Sequence, residues 1–208
     1  SGPVTVTGGP VTLTGNLSRD AGNFSLGANP LNVAGNITYT AGTLSSTGTV
    51  TLNGTANQSV NFTASTLADL ICNNTGTVTT AGNVSVSNFL KTGSGTFTLI
   101  GGNTLTVSGQ FRAQAGTVNL TGSYAGTGAT FLVIGGTVTA GSNSFEAGAM
   151  EVSVTGNFTQ TGNNDTYSNI QKIESLAVNE AGVCIWDSSA AGGSLGITGM
   201  LEHTGGTL

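Results

Sequence analysis

One short phrase recurs along this chain and constrains its fold more than any other feature: apolar residues alternating with Thr, Ser or Asn, closed by Gly and usually Asn. It reads Pro10-Val-Thr-Leu-Thr-Gly-Asn16, Pro30-Leu-Asn-Val-Ala-Gly-Asn36, Thr49-Val-Thr-Leu-Asn-Gly54, Thr77-Val-Thr-Thr-Ala-Gly-Asn83, Thr104-Leu-Thr-Val-Ser-Gly109, Thr117-Val-Asn-Leu-Thr-Gly122 and Glu151-Val-Ser-Val-Thr-Gly-Asn157. Period two is the strand period, so each copy is one short strand and a turn. A unit this small cannot bury a face alone, and copies must stack on one another. The pattern therefore predicts an all-β parallel β-helix, a β-solenoid with almost no helix, of roughly eight to ten rungs. Val, Leu, Ile and Phe face inward in this reading, and Thr, Ser and Asn face outward. Gln171 to Glu180 is compatible with helix, but Ile173, Leu176 and Val178 fit an inward strand set nearly as well.

Residues 1–208 read as one domain. The phrase-closing glycines at 15, 35, 54, 82, 109, 122 and 156 are unevenly spaced. That is expected where corners accept insertions and inward positions do not. Asn beside these glycines tolerates the corner backbone, and Asn stacked on Asn is expected to form side-chain ladders along the axis. A longer repeat is superimposed: Leu67 to Val78 parallels Ile173 to Cys184, and Leu90 to Phe97 parallels Leu201 to Leu208, which gives a module of about 110 residues.

Charged residues make up only 6% of the chain, against about 25% in an ordinary soluble domain. Nine acids oppose four bases, and Arg19, Lys91, Arg112 and Lys172 are scattered, so the basic footprint that nucleic acid requires is missing. No apolar run approaches the ~20 residues of a membrane-spanning helix, and the sequence opens at Ser1 with no signal-peptide pattern. Stranding begins at Val4-Thr-Val-Thr7 and is still in progress at Gly205 to Leu208, with no capping segment at either end. Open ends predict continuation of the solenoid, either covalently or by end-to-end self-association.

The run Leu52-Asn-Gly-Thr-Ala-Asn-Gln-Ser-Val60, followed by Ala68-Asp-Leu-Ile-Cys-Asn-Asn-Thr-Gly-Thr-Val78 and Ala81-Gly-Asn-Val-Ser-Val86, resembles the repeats of very large secreted bacterial surface proteins. It is similar to haemagglutinin-type and autotransporter-passenger β-helices. The resemblance implies a right-handed solenoid, a secreted or cell-surface location, and use as a stalk, adhesin or fibre. It supplies no catalytic residues.

The residues themselves name no catalytic, cofactor or metal site. Seven of the nine carboxylates lie between Glu146 and Glu202, and Glu146, Glu151, Asp165 and Asp187 are the candidates for a weak cation site, set against simple solvation of an uncharged surface. His203 is the single histidine, too little for a catalytic triad or a zinc site. Cys72 and Cys184 read as buried thiols about five rungs apart, roughly 25 Å, too far for a disulfide. Two further readings concern the outer surface. An outward Thr/Asn/aromatic face suits a glycan. Thr-x-Thr pairs at Thr12/Thr14, Thr38/Thr40, Thr49/Thr51, Thr77/Thr79, Thr96/Thr98 and Thr137/Thr139 suit ordered water or ice, provided that they align in one column. Their uneven separations argue against that alignment.

Overall fold

A computed structural model describes residues 3–126 and 130–140 with their side chains, and beyond these the backbones of strands Phe145–Val152, Asn157–Thr161, Gln171–Val178, Val183–Asp187, Leu195–Ile197 and Leu201–His203. Among the described residues every regular element is a strand and every strand pairing is parallel, and two sheets of 14 and nine strands run side by side along the coil axis. The chain is a β-solenoid. The segment that was compatible with helix is strand over Gln171–Val178.

Each rung presents three faces. In the first rung these are separate strands, Val4–Thr5, Val11–Leu13 and Leu17–Arg19. Further along, the first two fuse into single bent strands, Thr43–Leu52, Ser65–Cys72, Val84–Lys91 and Thr104–Ala113. Register shifts between Ser46 and Thr49 and between Val86 and Asn88 mark the bend. The bulge lets the inward set change direction without leaving the ladder. The third face consists of Gln58–Asn61, Thr77–Ala81, Thr96–Leu99, Thr117–Leu120 and Thr137–Ala140, the middle of the nine-stranded sheet.

Alternation along each strand puts one residue type inside at every level. The second face sends in the column Leu31, Val50, Leu70, Phe89, Phe111 and Phe131, all fully buried. Phe111 stacks on Phe89 at 5.0 Å between ring centroids and on Phe131 at 4.2 Å, and Phe97 meets Phe89 edge-on from the third face at 4.8 Å. Each such ring contributes about 1.5–3 kcal/mol through burial, with about 0.5–1.5 kcal/mol more from ring geometry. Leu70 and Leu176 stand in this same column, and Val78 and Cys184 share a column of the other sheet, so the two parallel segments of the sequence sit at equivalent positions five rungs apart.

Among the described residues, corner asparagines do not pair with one another side chain to side chain. Asn16 Oδ1 accepts the N–H of Asn36 at 2.8 Å, Asn36 Oδ1 accepts the N–H of Ser59 at 2.8 Å, Asn57 Oδ1 that of Thr77 at 2.9 Å and Asn83 Oδ1 that of Thr104 at 2.9 Å. Where the chain turns, a backbone donor drops out of the ladder and requires an acceptor. The Asn of the preceding rung supplies it, which replaces the expected side-chain ladder.

Candidate functional site

On the third face, the outward positions form a grid. Thr77, Thr96, Thr117 and Thr137 are consecutive register partners, and two residues along each strand so are Thr79, Thr98, Asn119 and Thr139. All eight are half-buried beside their neighbours, while Val78, Phe97, Val118 and Val138 between them point inward and are fully buried. The steps between the first column's members are 19, 21 and 20 residues, yet no register shift interrupts the pairing. The uneven spacing is absorbed at corners: four residues separate Leu99 from Thr104, and two separate Leu120 from Ser123. Despite the unequal separations, three of the six Thr-x-Thr pairs, Thr77/Thr79, Thr96/Thr98 and Thr137/Thr139, align in this grid, while Thr12 lies on the second face. Thr38/Thr40 is offset from the grid because Ile37 registers with Val60, and Thr49/Thr51 lies on the second face.

The second face is chemically mixed. Asp69, Asn88 and Gln110 form one outward column, with Asn88 Nδ2 donating to Asp69 Oδ1 at 2.8 Å and Asn88 Oδ1 accepting the Gln110 N–H at 3.0 Å. Ile71, Leu90 and Arg112 form the next, and together the two columns line a shallow groove. Among the described residues, Phe62, Phe89, Phe97, Phe111, Tyr124 and Phe131 are buried, and the half-buried rings Phe24 and Tyr39 lie on other strands, away from this groove.

Among the described residues, two bases, Arg19 and Lys91, lie inside the coil, which the sequence reading missed. Arg19 is 5% exposed; its guanidinium donates to Ser65 Oγ at 3.0 Å and to the carbonyls of Asn61 at 3.0 Å and Thr63 at 2.8 Å, and it sits 4.7 Å from the centre of the Tyr39 ring. Lys91 is fully buried and stands in the inward column Leu52, Cys72, Lys91, Ala113 and Val133. Its ammonium donates to the Gly93 carbonyl. Burial pulls the Lys91 pKa down, which the neighbouring Cys72 partly offsets, and burial pushes the Cys72 thiol up to about 12. A signal was present: Lys91 lies two residues beyond Phe89 and so has inward parity.

Cys72 is buried with its thiol free, as its apolar context implies. Cys184 belongs to Val183–Asp187 in the other sheet, five rungs away by register, and its side chain lies outside the described residues. The side chains of Glu146, Glu151, Asp165, Asp187 and His203 also lie outside them. Among the described residues, no three His, Cys, Asp or Glu side chains gather to hold a metal, and no helix is long and apolar enough to cross a membrane.

No family model, curated protein or solved structure matches the chain.

Proposed function

We propose that this chain is a structural solenoid, a stiff stalk or matrix segment of a secreted or cell-surface assembly. The observation that carries the reading is the unbroken parallel stacking of both sheets, with strands of one sheet running from Val4–Thr5 to Leu195–Ile197 and Leu201–His203. Every rung shares ladder hydrogen bonds with the next, and bending the rod at any level means breaking several at once. The sparse charge supports an extracellular setting, as does the likeness of the repeats to surface proteins. Stacking on further coils of the same kind, in the same chain or another copy, fits that role. Electron microscopy of the purified chain tests it. Straight rods with a width of one coil are expected, resisting protease until the melting temperature. Flexible threads or rounded particles overturn it.

A glycan-binding role is a second reading, favoured by the groove in which Asp69, Asn88 and Gln110 stand beside Ile71, Leu90 and Arg112. Carbohydrate sites pair planar hydrogen-bonding groups with apolar patches. Selective, saturable binding on a glycan array, lost in Asn88→Ala, would establish it. A blank array would remove it.

A further inference from the structure

We propose that the third face of the solenoid binds ice through its threonine grid, the ligand being water ordered in the hexagonal lattice. Strand geometry fixes the dimensions. Rungs are about 4.8 Å apart, and residues two apart along a strand are separated by about 6.7 Å, so the hydroxyls stand on a rectangle of those sides. Oxygen rows on the prism face of ice repeat on a nearly commensurate rectangle, so the rows of one lattice can settle between the rows of the other.

Four observations make the face a receptor and not merely a favourable place for β-branched residues. The first is availability: among the described residues, the hydroxyls of Thr77, Thr79, Thr96, Thr98, Thr117, Thr137 and Thr139 make no hydrogen bond, Thr77 and Thr98 being engaged only through backbone atoms. The inward Thr80, by contrast, donates to the Thr98 carbonyl at 3.2 Å. The second is flatness. From Thr77–Ala81 to Thr137–Ala140 the pairing contains no bulge, while the fused strands of the other two faces bend at register shifts. The third is charge. The eight grid positions on this face are Thr or Asn and the neighbouring outward Ala81 is uncharged, whereas Asp69 and Arg112 sit on the second face, where ionic groups would hold liquid water in orientations that ice does not share. The fourth is selectivity of position. Equivalent outward columns on the second face run through Thr, Ile, Leu and Arg, but on the third face Thr occupies seven of the eight grid places, Asn119 the eighth, although the intervening corners differ in length.

Chemistry explains why Thr suits the task. Its branched Cβ restricts the side chain to few rotamers, so the grid is ordered before water arrives. The hydroxyl anchors water with little further loss of entropy, and the methyl restricts the orientations of its first water shell. Each contact is weak, but the rigid sheet makes all of them available together. A flat, uncharged array with no concavity suits a flat crystalline surface better than it suits a sugar or a peptide.

The test is partition into a growing ice hemisphere, using the whole chain with a fluorophore on its N-terminus, together with thermal hysteresis and crystal shape. The chain is expected to enter the ice and facet the crystals. Thr98→Tyr, which stands at the centre of the grid, should abolish both while leaving the β-signal and melting temperature unchanged, because its side chain points outward. Thr106→Tyr, an outward position of the first face, should leave both intact. Exclusion of the unsubstituted chain from ice overturns the proposal, as does equal loss with Thr106→Tyr or no loss with Thr98→Tyr. So does a face-to-face dimer in sedimentation that Thr98→Tyr breaks, since the grid would then be an interface between copies.

Discussion

Cys72 and Lys91 are register partners on adjacent rungs, a thiol and an amine stacked within a column whose other members include Leu52, Ala113 and Val133. Both are fully buried, and burial opposes the charged form of each. Their effects on stability have opposite signs with pH. The raised thiol favours folding below its unfolded value and loses that contribution as pH climbs. The depressed amine weakens folding while it is protonated, and folding strengthens as pH rises through its lowered value.

Cys72→Val isolates the thiol. The unfolded thiol ionises near 9.0 and the buried one only near 12, so the thiol's contribution disappears across that window. Between pH 8 and pH 10 the unsubstituted chain should lose about 1.4 kcal/mol more than Cys72→Val. Urea unfolding at the two pH values measures the difference. Parallel stability profiles for the two proteins would show that the thiol is not shielded as the stacking implies.

Lys91→Met keeps the length of the side chain and removes the ammonium. Replacing a buried charge by an apolar group of similar volume is often stabilising, so the variant should gain about 1 kcal/mol at pH 7. The advantage should shrink as pH rises from the lowered value towards the ordinary lysine value of 10.5, because burying the amine in its neutral form then costs less, and it should vanish only above that value, where the amine is neutral in both states. Equilibrium unfolding across pH 7 to 10 follows the trend. A variant less stable than the parent throughout would mean that the bond to the Gly93 carbonyl outweighs the desolvation.

Much of this architecture is legible in the sequence because period two separates inside from outside residue by residue: Val78 and Leu105 both belong to the inward set and both are fully buried. What period two does not contain is the column in which a residue stands. Thr77 and Thr96 face each other only because the corners between them total the right length, and that is a property of the closed coil, not of either phrase. Buried bases escape for a different reason. Arg19 and Lys91 follow Leu17 and Phe89 at inward parity, but a charged residue at the end of a strand is ordinarily solvated. Only the partners around it, the Asn61 and Thr63 carbonyls for Arg19 and that of Gly93 for Lys91, reveal that the position can be filled.

Neighbouring positions on one strand should respond oppositely to the same charge. Val78 is fully buried between Gln58 and Phe97, and Thr79 is outward between Ser59 and Thr98. Val78→Asp places an unpaired carboxylate in the coil and should cost about 4 kcal/mol or more, enough to lose the β-signal at moderate temperature. Thr79→Asp should change stability by no more than about 0.5 kcal/mol. Thermal denaturation followed by circular dichroism compares them, and equal melting temperatures would refute the assigned inward column.

Gly116 and Gly102 separate two reasons for glycine at a corner. Both hold positive φ, 68° and 84°, where a side chain costs roughly 1 kcal/mol from backbone strain alone. At Gly102 a methyl would meet nothing within 4 Å. At Gly116 it would collide with the carbonyl oxygens of Gly93 and Gly95 on the preceding rung and lie 3.0 Å from the Lys91 ammonium. Backbone atoms of a stacked rung cannot yield without opening the ladder, so Gly116→Ala should be more damaging than Gly102→Ala by about 2 kcal/mol. Its effect should also reach Lys91: displacing the Gly93 carbonyl removes the acceptor of the buried ammonium, and combining Gly116→Ala with Lys91→Met should cost less than the sum of the two alone. A double-mutant cycle in urea measures that coupling, and strict additivity would show that the collision is relieved without disturbing the lysine.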